Sequence, residues 1–146
     1  PLLPETNVYP NPLVLASSQS FDLVPNNIVD GSLESYWKSV GIISQSITID
    51  FRTRREFGGL IIDWFKNFHA KSFDISLSEV GKFWDKVYSV SSNSSDVSFI
   101  KLSEVEARLL RINLIENNSE ESFGICEIKF LDIKNIPVTW LCHPEH

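Results

Sequence analysis

Cysteine and histidine are scarce in this chain: two of the first and three of the second in 146 residues. Cys126 and Cys142 are too few for a four-ligand zinc site. His143 and His146 lie in the last four residues, which leaves His69 as the one imidazole in the body of the chain and excludes a Cys/His cluster for a catalytic metal. No Gly-x-Ser-x-Gly, no phosphate-binding glycine loop and no metal-binding His pair is present. The one catalytic arrangement that spacing leaves open is a carboxylate pair drawn from distant loops. Glu120 and Glu121 are adjacent and point apart in an extended chain, so the expectation is that the chain is not an enzyme. Positive charge is short as well. Thirteen Lys and Arg against nineteen Asp and Glu give a net charge of −6, which argues against nucleic acid and against an anionic membrane surface. No apolar run approaches the ~20 residues that span a bilayer. No charged-then-apolar leader opens the chain, so a secretion signal is expected to be absent or already removed.

What the chain has in quantity is two-residue alternation. Ile47, Ile49 and Phe51 alternate with Ser46, Thr48 and Asp50, and Phe73, Ile75 and Leu77 alternate with Ser72, Asp74, Ser76 and Ser78. Leu60, Ile62 and Trp64, then Leu110, Ile112 and Leu114, then Cys126, Ile128 and Phe130 repeat the pattern. Bounded by Ser, Asn and Gly, such runs are strands. Eight are expected, near 13–16, 46–51, 58–64, 72–78, 84–90, 97–102, 107–115 and 123–132. With no helical period, they predict an all-β fold, an antiparallel sandwich or barrel. Four of the seven prolines fall in residues 1–12, an extended lead-in. Residues 13–133 form the domain, and 134–146 lose the alternation and read as a linker or the truncated start of a following segment. If each strand runs the length of the fold, the connections 17–45, 65–71 and 116–122 gather at one end, where binding residues are expected.

Four segments carry a more specific signal. Asn27-Ile28-Val29-Asp30-Gly31 continues through Ser35 to Trp37; Ser78-Glu79-Val80-Gly81 leads to Trp84; Ala107-Arg108-Leu109-Leu110-Arg111-Ile112 follows; Glu127 stands in Gly124-Ile125-Cys126-Glu127-Ile128. In this order they resemble the coagulation factor 5/8 type C, or discoidin, family, which overlaps the galactose-binding-like carbohydrate modules. The family pattern carries Thr where Ser35 stands and Asp where Val80 stands. Arg55-Glu56-Phe57-Gly58-Gly59-Leu60 leading into Asp63-Trp64 also looks like versions attached to bacterial glycan-degrading enzymes.

The resemblance implies an eight-stranded jelly-roll β-sandwich and a structural calcium site. Its ligands would be the carbonyls of Asn27, Ser32 and Ser35, the Ser35 hydroxyl, and the Asp30 and Glu127 side chains. Several oxygens converging on one point suit a hard cation; the alternative is that Asp30 and Ser35 only cap the loop. Trp37 and Trp84 are expected as core anchors. Arg108 and Arg111 are expected to pair with carboxylates, with a sugar clamp by Arg111 left open. Sugars need an aromatic face and planar polar groups. Phe65, Phe68 and His69 in one loop, with Asn117 and Phe123 bounding another, are the candidate carbohydrate contacts, and Phe21 and Asp22 are candidates to complete that end. The function expected is a non-catalytic carbohydrate-binding accessory module of a larger secreted bacterial glycan-acting protein. It would sit outside the cell or in the cell envelope or periplasm, its partners a glycan and neighbouring domains of the parent chain. The alternative is a spacer that positions a catalytic domain and binds no sugar. Cys126 is expected as a buried free thiol.

Overall fold

A computed structural model describes residues 11–20, 22–41, 44–118 and 122–132. Residues 1–10, 21, 42–43, 119–121 and 133–146, Phe21 and Cys142 among them, lie outside the described residues. The strands are β1 (Leu13–Ala16), β2 (Trp37–Lys38), β3 (Gln45–Trp64), β4 (Ala70–Ser78), β5 (Asp85–Val90), β6 (Val97–Asn117) and β7 (Gly124–Leu131), with one short 3-10 helix at Pro25–Val29. Every pairing is antiparallel, in the order β2-β7-β3-β6-β4-β5, with β1 added to β3.

The all-β sandwich is as expected, but two pairs of expected strands are single bent strands. Segments 46–51 and 58–64 are halves of β3, and 97–102 and 107–115 are halves of β6. The β3–β6 ladder runs from Gln45 to Asp50, loses register, and resumes at Arg55. At the break Arg52 adopts φ 67°, and its amide donates to Asp50 Oδ1 at 2.7 Å, which braces a conformation that side chains disfavour. The first half of β3 also carries β1, and the second half carries β7. Two long strands therefore serve both layers, and the hydrogen-bonded ribbon folds over itself. β2, at two residues, is too short to leave an alternation signal.

The alternating side chains meet in one core: Ile47, Ile49, Leu60, Ile62, Ile75, Leu110, Ile112 and Leu114 are all fully buried. At the bend Phe51, Phe57 and Phe130 pack edge-on, with centroids 4.8–5.8 Å apart, and the Arg55 guanidinium lies 5.3–5.4 Å from two of those rings. Trp37 is fully buried, as expected of a core anchor. Trp84 is not in the core: it is half-buried on the sheet surface with the Arg111 guanidinium 4.1 Å from its ring. Arg111 accordingly donates to the Thr48 hydroxyl, whereas Arg108 forms the expected pair, forked onto Asp50 at 3.0 and 3.2 Å. Cys126 is half-exposed and not buried, because the β3–β7 register slips between Asp63 and Trp64 and puts Ile125 and Glu127 inside instead. Burial and the charges of Asp63, Asp96 and Glu127 push its thiol pKa up.

Strand register defines two poles. Leu13, Asp50, Leu109 and Ser78 form one cross-sheet row, near the bend of β3 and the β4–β5 turn. The connections β3–β4, β5–β6 and β6–β7 close the other pole.

Candidate functional site at the loop rim

At this second pole the loops are tied to each other by main-chain bonds. Phe65 N donates to Gly124 O at 2.9 Å, and Gly124 N donates to Phe68 O at 3.0 Å. The approach is so close that a Cβ on Gly124 would stand 2.8 Å from Phe65 Cβ and 3.2 Å from Phe68 Cβ, so glycine is required. Ser39, just after β2, clamps the same loop: its amide donates to Phe123 O and its buried hydroxyl accepts from Phe123 N. Asn118 N donates to His69 O, and Trp64 N donates to Asp96 O.

Side chains at and just before β2 then meet the 65–69 loop. Tyr36 stacks on Phe65 with centroids 4.2 Å apart and planes at 19°. Lys38 Nζ sits 4.3 Å from the Phe68 centroid, a cation–π contact. Tyr36, Lys38, Phe65, Phe68 and Asn117 are half-buried, and Asn67 and Asn118 are exposed. Phe65, Phe68 and Asn117 thus stand at the rim with open faces or edges. Sequence reasoning missed Tyr36 and Lys38; the signal was there, because burying Trp37 in an extended segment sends both of its neighbours outward.

His69 and Phe123 are placed differently from the expectation of ligand contacts. The Phe123 ring is fully buried, because the residue enters β7 where Ser39 and Gly124 draw it inward; it offers a sugar no face. His69 is 6% exposed and forms the floor of the rim. Its Nδ1 lies 2.8 Å from Asp96 Oδ1, the same oxygen that accepts from Asn67 N, while Nε2 is buried with no hydrogen-bond partner among the described residues.

The expected cation loop lies on the flank beside β7. Gly31, at φ 80°, aims its amide at both Glu127 oxygens, each at 3.2 Å. Asp30 accepts from Ser32 N at 3.0 Å and from the Ser35 hydroxyl. Asn27 Nδ2 donates to Tyr36 O, while Ser32 Oγ accepts from Glu34 N. Two carboxylates and a hydroxyl therefore meet at one glycine turn. Glu127 is 4% exposed, and burial, together with the nearby Asp30 charge, pushes its pKa up to about 7 despite the opposing Gly31 amide. Asp30 is held below the usual carboxylate range by the Ser35 hydroxyl and the Ser32 amide. Among the described residues no cluster of three or more His, Cys, Asp or Glu could hold a metal; the remaining donors to a cation would be hydroxyl and carbonyl oxygens. A buried acid next to a second acid fits a hard cation by the chemistry of its donor set.

The comparisons place this two-layer antiparallel sandwich in a family. The F5/8 type C domain matches residues 14–128, and the chain belongs to that family, whose members are non-catalytic binding modules. No curated protein matches the chain. Among solved structures it resembles chitosan-binding module 2, in complex with chitotriose, from a chitosanase/glucanase of Paenibacillus sp. IK-5 (TM-score 0.79, 19% identity, 83% of this chain and 96% of that one). It also resembles CpGH89CBM32-5 of Clostridium perfringens in complex with GalNAc-β-1,3-galactose (0.74, 18%, 83% and 95%). The family 32 module of C. perfringens NanJ in complex with galactose is similar as well (0.73, 15%, 82% and 93%). No helix among the described residues is long and apolar enough to cross a membrane.

Proposed function

We propose that this chain is a carbohydrate-binding module whose ligand meets the rim at Phe65, Phe68, Lys38, Asn117 and Asn118, over a floor of His69 and Asp96. The observation that carries the reading is the combination, on loops joined by main-chain bonds, of half-open aromatic rings with a cation and planar amides. A sugar ring presents one C–H face and many hydroxyls, and such a surface matches both. The sugars named for the three solved relatives support the ligand class. A single shallow site of this kind binds at millimolar to micromolar strength, about −4 to −8 kcal/mol. Tethering to an enzyme would make that useful by raising effective concentration. The parent is accordingly read as a secreted or envelope-located glycan-acting protein with neighbouring domains, as the chitosanase/glucanase of one relative supports.

Calcium on the Asp30–Glu127 loop belongs to the same proposal. Asp30, Glu127, the Ser35 hydroxyl and the Asn27, Ser32 and Ser35 carbonyls would hold it. Its part is structural, fixing the 27–35 loop against β7. A glycan array run with the chain and with the Lys38→Ala/Phe68→Ala variant tests the sugar reading. Binding that the variant loses supports it; silence across a broad sugar panel leaves a spacer.

A further inference from the structure

At the pole opposite the rim, Phe83 is 84% and Val80 70% exposed, the two highest values among large hydrophobic side chains of the described residues. That exposure is built in, since the turn that carries them is braced. Gly81 adopts φ 85° and its amide donates to the Ser78 hydroxyl at 2.8 Å, while Trp84 Nε1 donates to Gly81 O at 3.2 Å. With Trp84 folded onto Arg111, its neighbour Phe83 is turned to solvent. Beside the ring lies a groove of ≈ 370 Å³ with an apolar wall of Leu77, Val87, Val105 and Ala107. Every charged residue lining it is acidic: Glu79, Asp85 and Glu106. Arg54 bridges Glu79 and Glu106, each at 3.1 Å, so two carboxylates share one guanidinium. Asp85 has no ion-pair partner among the described residues.

We propose that this groove is a second ligand site, distinct from the rim, that takes a ring of a cationic amino-sugar chain. The exposed phenyl face would stack under the C–H face of the ring, and the surplus carboxylates would pair with its ammonium group. Charge complementarity selects the cationic sugar over a neutral or acidic one. The volume, at the small end of ligand pockets, selects a ring or two over a folded protein partner, which needs ~800 Å² on each side. The inference stands whether or not the rim binds sugar.

The test is amide NMR on the whole chain, titrated with β-1,4-linked glucosamine trimer, its N-acetylated counterpart, cellotriose and oligolysine. The glucosamine trimer is expected to shift amides at 79–87 and 105–107 and to weaken as salt rises. Phe83→Ala should weaken it about tenfold and Asp85→Asn about threefold. Both positions are exposed, so the fold should hold, as unchanged shifts elsewhere will verify. Equal binding of cellotriose at these amides, shifts confined to the rim, or no shift at millimolar trimer would each overturn the proposal. So would oligolysine binding that Phe83→Ala leaves intact, which would make the groove a simple acidic patch.

Discussion

The two poles of the sandwich use aromatic residues in opposite ways. At the rim, where aromatics are densest in sequence, Phe123 is swallowed whole, Phe65 is stacked under Tyr36, and Phe68 lies against Lys38. At the far pole a single Phe83 stands almost fully in solvent on a turn held by three local constraints. Aromatic density therefore does not report exposure, which is decided by the local turn. The rim gains a shaped surface at the cost of most of its ring area, while the far pole keeps a bare ring with little shape.

Substitutions sharpen that contrast, beginning with the largest effect. Phe123→Ala removes a buried ring that anchors the rim and should cost about 3–5 kcal/mol in urea unfolding. A cost below about 1 kcal/mol would mean that the rim does not depend on it.

Glu127 gives the next effect, through pH. Its folded pKa of about 7 lies above its ordinary 4.5. The folded state therefore takes up the proton first as pH falls. Stability should rise as pH drops from above 7 toward 4.5, and fall again as pH climbs back, by on the order of 3 kcal/mol. Glu127→Gln should flatten that window. Calcium, by holding Glu127 ionised, should also remove the trend and raise Tm above pH 7. Thermal unfolding across pH with and without calcium reads all three, and no response to the ion would reduce the loop to a hydrogen-bonded cap.

Gly124→Ala forces a Cβ against Phe65 and Phe68. It should cost about 1–3 kcal/mol, with shift changes confined to the rim. Asp50→Asn breaks an exposed fork with Arg108 and should cost no more than about 1 kcal/mol. Phe83→Ala should leave stability within about 0.5 kcal/mol, the mark of a ring that serves a ligand and not the fold.

Much of the fold was legible because alternation reports burial directly: Ile47, Ile49, Leu110 and Ile112 fall inside as their spacing requires. Alternation does not report ladder continuity. The joining of 46–51 to 58–64 depends on Asp50 bracing Arg52 and on pairing with β6, neither of which is periodic. The site was legible in its loops and less so in its side chains. The burial of Phe123 follows from Ser39 and that of His69 from Asp96, partners distant in sequence. Lys38 was hidden in a strand of two residues. Cys126 was misplaced by one register slip, which no local pattern announces.

The central claim, that the rim meets sugar, is tested most directly by mapping amide shifts of the chain during titration with galactose, N-acetylgalactosamine and other monosaccharides. The account predicts saturable shifts gathered on Tyr36, Lys38, residues 65–69 and Asn117–Asn118. Saturable shifts that spare all of these residues, or a flat response to every sugar at high millimolar concentration, would contradict it.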